Sequence, residues 1–258
     1  KSNYVVNKSM QIRRIYAPWL EIIQEDFNNS LECTLENNEL TDYPYIMYID
    51  HSVIGDLKLN FNYTGTAIPA KNVRGLTLYQ SQVEGVYLRV FNMGSGLFMH
   101  HSSTVYNLAT FIANNLHNTA IYAAYNSFLM IANRDHNPPM SITNIGINPE
   151  DDGVGIYSNT SYIHIYDCDL TMNNLKKAFY AFAGGTIRFA TEQPRLNVSN
   201  IENFFELYMG GIIYIVEPTY ITFGENVINK IYPTDLLVNT FDRRGIVLSL
   251  FNKSYLES

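Results

Sequence analysis

Apolar and polar positions along this chain recur in a fixed layout from Gly85 to Asn229. The segments AIYAAYNSFLMIAN (120–133), GIYSNTSYIHIYDC (155–168), AFYAFAGGTIRFAT (178–191) and FFELYMGGIIYIVE (204–217) each hold a short apolar strand, a corner of Asn, Ser or Gly, and a second alternating strand. A third apolar stretch follows in SITNIG (141–146), LNVSNIE (196–202) and ITFGENVI (221–228). The units start at residues 120, 155, 178 and 204, hence 35, 23 and 26 residues apart. A strand–corner–strand unit of that size cannot bury its apolar side alone. It has to stack on copies of itself, which predicts a β-solenoid.

Alternation then assigns directions. In the second strand, Ile131, Ile165, Phe189 and Ile215 form one inward ladder, and Leu129, Ile163, Ile187 and Ile213 another. Between them Met130, His164, Arg188 and Tyr214 face out as a column at the ~4.8 Å strand spacing, with Tyr162, Thr186 and Ile212 beside it. The first strand directs Ile121, Ile156, Phe179 and Phe205 inward. Tyr122, Tyr157 and Tyr180 lie on its other side, continued by Phe182 and Tyr208. A strand apolar on both sides is usually covered on both, which predicts a subunit interface there.

Around the repeats (75–230) lie two other regions. Residues 1–74 read as a capping or neck region. Ala17-Pro18-Trp19 opens a predicted helix running to about Ser30, since Pro is tolerated in a first helical turn, and LKLNFNY (57–63) alternates as a strand. The chain opens KSNYVV without an initiator Met, as expected of a piece of a longer polypeptide. After Asn229 the pattern fades, and 231–258 reads as a distal cap. NRDHNPPM (133–140) and INPEDDG (147–153) interrupt the longest cycle and read as loops projecting from one face.

Composition changes this picture in two ways. Charged residues make up 16 % and hydrophobic ones 47 % of 258 residues. So charge-poor a surface is expected to be partly buried between subunits. The net charge of −7, with no basic stripe, argues against a nucleic-acid partner. No apolar run reaches the length of a membrane span.

Candidate chemistry is sparse. Asp167 and Asp169 in YDCDL read as two residues apart on one strand, with carboxylates roughly 7 Å apart on one side; with Glu150 they are the alternative catalytic acids for a glycoside-cleaving enzyme. The primary expectation is that none of them is catalytic and that they serve strand ends and loops. Glu150, Asp151 and Asp152 offer a weak Ca²⁺ reading without any calcium-repeat signature. No His or Cys spacing supports zinc, and Cys33 and Cys168 are expected as free thiols. No nucleotide loop or nucleophile elbow occurs, so no cofactor is expected. Gly184-Gly185 and Gly210-Gly211 read as turn residues. What remains is aromatic richness: 20 Tyr and 14 Phe. Tyr combines an apolar ring with a hydroxyl, a pairing that suits sugars. Tyr162, His164, Arg188 and Tyr214, with Arg134 and His136 of the first loop, are the candidate ligand-binding residues.

At GIYSNTSYIHIYDC, AFYAFAGGTIRFAT and FFELYMGGIIYIVE the chain resembles the right-handed parallel β-helices of bacteriophage tailspikes and tail fibres, over about residues 75–230. The resemblance is one of style, without a defining motif. It implies a homotrimer carried on the virion's distal tail fibre, such as the L-shaped fibre of a siphophage, that attaches to a host-surface polysaccharide such as O-antigen. Some such proteins also cleave the polymer, and in several a C-terminal chaperone is removed after a Ser, with which Ser258 is compatible. A purely structural shaft is the remaining expectation.

Overall fold

A computed structural model of the chain describes residues 3–6, 10–13, 31–35, 45–63, 69–133, 139–146, 148–189, 194–215, 220–232 and 256–257. The predicted helix from Ala17 to Ser30, the loop residues Arg134 and His136, and most of the distal cap lie outside them. Within them, regular structure is strand apart from one 3-10 turn at Ala70–Asn72. All strand pairings are parallel, and they join into one continuous stack. This is a β-solenoid.

Three faces make each winding. At the N-terminal end the stack begins with β1 (Asn3–Val6), β2 (Met10–Arg13) and β3 (Leu31–Leu35). The first face then holds β4 (Tyr45–Asp50), β6 (Arg74–Tyr79), the ends of β7 (Gln82–His100) and β8 (Thr104–Ala124), β11 (Val154–Asn159), and the ends of β13 (Asp169–Phe182) and β15 (Arg195–Tyr208). The second holds the start of β5 (Val53–Tyr63), the starts of β7 and β8, then β9 (Phe128–Ala132), β12 (Tyr162–Tyr166), β14 (Thr186–Phe189) and β16 (Ile212–Ile215). The third holds the end of β5, the middles of β7 and β8, β10 (Met140–Ile145), the starts of β13 and β15, and β17 (Tyr220–Phe223). β18 (Val227–Tyr232) continues the first face on the end of β15, and β19 (Leu256–Glu257) continues the third on β17. Winding thus begins well before residue 75, because residues 45–63 already complete a turn in register with 74–91.

The register matches the sequence pattern. Ile121, Ile156, Phe179 and Phe205 pair in succession, which reproduces the 35, 23 and 26 spacing. One inward ladder per face fills the interior. On the first face it is Met47, Leu76, Leu97, Ile121, Ile156, Phe179, Phe205. On the second it is Ile54, Val83, Val105, Leu129, Ile163, Ile187, Ile213. On the third it is Phe61, Val90, Ala113, Ile142, Met172, Val198. All are buried. Each fully buried apolar side chain contributes about 1.5–3 kcal/mol. No winding can bury its own ladder without the next, so the stack is cohesive along its axis and depends on its neighbours at every step.

Two corners are built by hydrogen-bonded side-chain columns. Between the third and first faces, Asn92, Asn115, Asn144, Asn174, Asn200 and Asn226 all take positive φ between 52° and 61°, a conformation Asn tolerates best after Gly. Their amides bond from winding to winding: Asn92 Nδ2 donates to Asn62 Oδ1 (2.8 Å), Asn115 to Asn92 (2.6 Å), Asn174 to Asn144 (2.9 Å) and Asn226 to Asn200 (2.9 Å). Asn144 and Asn200 reach the neighbouring Asn114 and Asn173 instead, both at 2.8 Å. Between the first and second faces, the buried Ser52, Ser81, Ser103, Ser127 and Ser161 occupy equivalent corners. The Ser52 and Ser127 amides donate to the next Ser hydroxyl at 3.1 and 3.0 Å. In the last windings this corner is a tight turn through Gly184 (φ +79°) and Gly210 (φ +81°), the turn role expected for both glycine pairs.

Candidate functional site

The outward side of the second face carries the predicted column. His164 pairs in register with Met130 and Arg188, and Arg188 with Tyr214. Beside it run Phe128, Tyr162, Thr186 and Ile212. Arg188 is exposed, and Tyr162, His164 and Tyr214 are half-buried. The rings of Phe128 and Tyr162 lie parallel, 5.9 Å apart and inclined by 5°. The His164 ring packs edge-on against Tyr162 (6.1 Å) and Tyr166 (5.8 Å). Burial, and then the nearby Arg188 guanidinium, hold the His164 imidazole below its ordinary pKa. At neutral pH it is therefore a neutral ring with both donor and acceptor character. The column is a flat strip of rings, amphipathic tips and one guanidinium, with the strip's own β-strands as rigid support.

The first face is more aromatic still. Phe98, Tyr122, Tyr157 and Tyr180 pair in register outward of the core. Their ring centroids follow at 4.5, 4.9 and 4.6 Å, and Phe182 stacks on the exposed Tyr208 at 5.7 Å. Cations rest on this row: the Arg74 guanidinium lies 3.9 Å from the Phe98 ring centre and the Lys177 ammonium 4.6 Å from that of Tyr180. Lys177 also pairs with Glu206 at 2.9 Å. Burial, followed by its phenol neighbours, raises the Tyr157 pKa above the ordinary phenol range. Burial and then the Glu206 charge push Tyr180 up to about 12. These hydroxyls stay protonated and available as donors.

At the rim of this face sit His51, His100 and His101. The His100 and His101 Nδ1 atoms are 2.9 Å apart, so one must donate to the other. His100 Nε2 is buried without a hydrogen-bond partner, and a proton there would be an unpaired buried donor costing about 1–3 kcal/mol. The proton therefore sits on His100 Nδ1. Burial, then His101, then Arg74 pull the His100 pKa to about 4. Between the ordinary value near 6.5 and about 4, the unfolded chain takes up a proton that the native ring refuses. Stability is therefore full above pH 6.5 and falls as pH drops toward 4, by at most about 2 kcal/mol once solvent screening is allowed for. Urea midpoints at pH 7 and pH 4.5 are expected to differ accordingly, and His100→Phe is expected to narrow the gap. An unchanged gap in that variant contradicts the assignment.

The predicted acids do not assemble. Strand β12 ends at Tyr166, Asp167 occupies a corner with φ +21°, and β13 starts at Asp169. The two carboxylates thus do not share one strand, contrary to the spacing argument, because the chain turns from the second to the third face at the buried Cys168. Asp169 lies 4.0 Å from the Arg195 guanidinium. Glu150 is exposed in the loop at the opposite edge of the third face. Cys168 is a free thiol, pushed up to about 12 by burial and then by Asp169 and Asp167.

The loop around Glu150 holds a cation of its own. The Lys176 ammonium donates to the carbonyls of Asn148 (2.9 Å), Pro149 (2.7 Å) and Asp151 (2.5 Å). Asp151 is buried and accepts from His117 Nδ1 (3.0 Å) and from the Asn148 amide and side chain (3.2 and 3.1 Å). Burial pushes its carboxyl pKa up, but the bond from His117 and those from Asn148 outweigh this and hold it below the ordinary value. The loop closes where Gly146 meets Gly153, so closely that a Cβ on Gly146 would stand 2.2 Å from the Gly153 Cα. The calcium reading of this loop is therefore corrected: its carbonyl cage is filled by Lys176. Among the described residues no group of three or more His, Cys, Asp or Glu side chains is placed to hold a metal ion.

Sequence reasoning missed a groove at this edge. An open cleft of about 670 Å³ runs beside the loop, over Asn174, Asn200 and Asn226, past Glu202 and Ile228. Its one visible sequence signal was the Asn inside each third stretch, Asn144, Asn200 and Asn226. No family model, curated protein or solved structure matches this chain. Among the described residues no helix is long and apolar enough to cross a membrane.

Proposed function

We propose that this chain is the saccharide-binding part of a bacteriophage tail fibre or tailspike, which attaches the virion to a polysaccharide on the host bacterial surface. The observation that carries this reading is the strip Phe128, Tyr162, His164, Arg188 and Tyr214 on the second face. Stacked rings on a rigid sheet suit the apolar faces of sugars, and the hydroxyl, imidazole and guanidinium tips suit their rims. The strip offers no paired carboxylates for bond cleavage, which favours attachment over hydrolysis. Arg134 and His136 belong to the same proposal as contacts from the adjoining loop.

In the same reading three copies associate through the first face as right-handed solenoids, with the N-terminal helical segment capping one end. The half-buried row from Phe98 to Tyr180 supports this, since an aromatic surface of that length is costly to leave in water. Three weak sites on one particle then act together. A solution mass of three times 29.5 kDa is the expected result.

The test is adsorption. The double variant Arg188→Ala, Tyr214→Ala is expected to lower binding to host cells, or to their purified envelope polysaccharide, by at least tenfold while the far-UV spectrum stays unchanged. Unchanged adsorption removes this strip as the site. Release of short oligosaccharides from the polymer would replace attachment by cleavage as the principal activity.

A further inference from the structure

We propose that the groove between the third and first faces is a second saccharide site, selective for uncharged or amino-bearing oligosaccharides. It shares the ligand class of the reading above but lies on a different edge of the solenoid. Its floor is the outer half of the asparagine column: Asn174, Asn200 and Asn226 are exposed there, one winding apart. Each ladder bond uses one N–H of a primary amide, leaving the second N–H outside the ladder. One rim is Pro149, on the loop that Lys176 holds shut; the other is Ile228, 71 % exposed. Glu202 stands exposed in the lining.

The lining discriminates between ligand classes. An anion meets Glu202, while the ammonium in the lining, Lys176, has three carbonyls already around it. A wholly apolar ligand would strip water from the floor amides and return no hydrogen bond. A peptide strand needs an open sheet edge, and here the floor consists of side chains at a corner of paired strands. A polyhydroxyl chain fits each of these features. Its hydroxyls both donate and accept, as the amides do, and they recur along a chain laid over amides about 4.8 Å apart. Its C–H faces can rest on Ile228 and Pro149. A protonated amino group would sit against Glu202. The volume, about 670 Å³, is within the usual range of ligand sites.

The test follows the amides directly. ¹⁵N-labelled protein is titrated with short oligomers of neutral hexoses, N-acetylhexosamines, hexosamines and uronic acids. The side-chain NH₂ signals of Asn174, Asn200 and Asn226 are expected to shift with one or more of the first three and not with the uronic acid series. The exposed double variant Glu202→Lys, Ile228→Glu, whose sites make no ladder bond, is expected to weaken that binding at least tenfold. Ile228→Ser alone serves as a milder check if the double variant folds poorly. No amide shift with any oligomer at millimolar concentration overturns the proposal, as does unaltered affinity in the variant. Shifts confined to residues 128–214 of the second face overturn the groove while leaving the attachment reading intact. Amide shifts with an extended peptide and none with sugars overturn it in favour of a peptide ligand.

Discussion

Phe179→Ala is expected to cost about 3–5 kcal/mol. Phe179 is fully buried, and its ring lies 5.1 Å from Phe189, 5.4 Å from Phe204 and 5.7 Å from Phe205. Those three belong to its own winding and the next, so the truncation leaves a cavity across the junction between two windings. Edge-to-face ring pairs add to the area term. In a compact globule such a loss lowers global stability. In a solenoid it weakens one interface in a one-dimensional stack, and the windings beyond it lose protection first. Hydrogen exchange should therefore speed up in β15 and β16 more than in β5 and β7. Phe179→Leu, which keeps most of the volume, is expected to cost no more than about 1.5 kcal/mol. Uniform loss of protection along the chain, or a cost below about 1 kcal/mol for the alanine variant, would contradict this account of the core.

The inward ladders and the outward column of the second face were legible because two signals coincide there. Alternation with period two sets the direction of each side chain, and the repeat sets its partner. Ile163 between Leu129 and Ile187 needs nothing more. The asparagine column escaped for a physical reason. Asn is a common corner residue, and nothing in one corner distinguishes a lone turn from a hydrogen-bonded column. The column's spacing is also uneven, because loops of different length separate its members. The Asp151 site was hidden more deeply. His117 and Lys176 lie 34 and 25 residues from Asp151 in the chain, and only the winding brings all three to one edge. Asp167 and Asp169 serve a strand end and a strand start, the primary reading, and the alternative of one strand's pair arose because YDCDL is polar enough to continue a strand or to turn. Burial of Cys168 decided for the turn.

The asparagine column makes the second large prediction. Asn200→Ala is expected to cost about 3–4 kcal/mol. Part of this is conformational: Asn200 has φ +52°, where a Cβ without a compensating polar group costs about 1–2 kcal/mol. The rest is two ladder bonds, one donated to Asn173 and one accepted from Asn226, at about 1 kcal/mol each. Asn200→Gly removes the bonds but relieves the backbone, so it should cost less than the alanine change. That ordering is the opposite of what a strand interior gives, where Gly is worse than Ala. Coupling gives a sharper check. In the double variant Asn200→Ala, Asn226→Ala, the shared bond is lost only once, so the combined cost should fall short of the sum by about 1 kcal/mol. Strict additivity in urea denaturation would show that these amides are separate turn residues and that the column contributes no cohesion between windings.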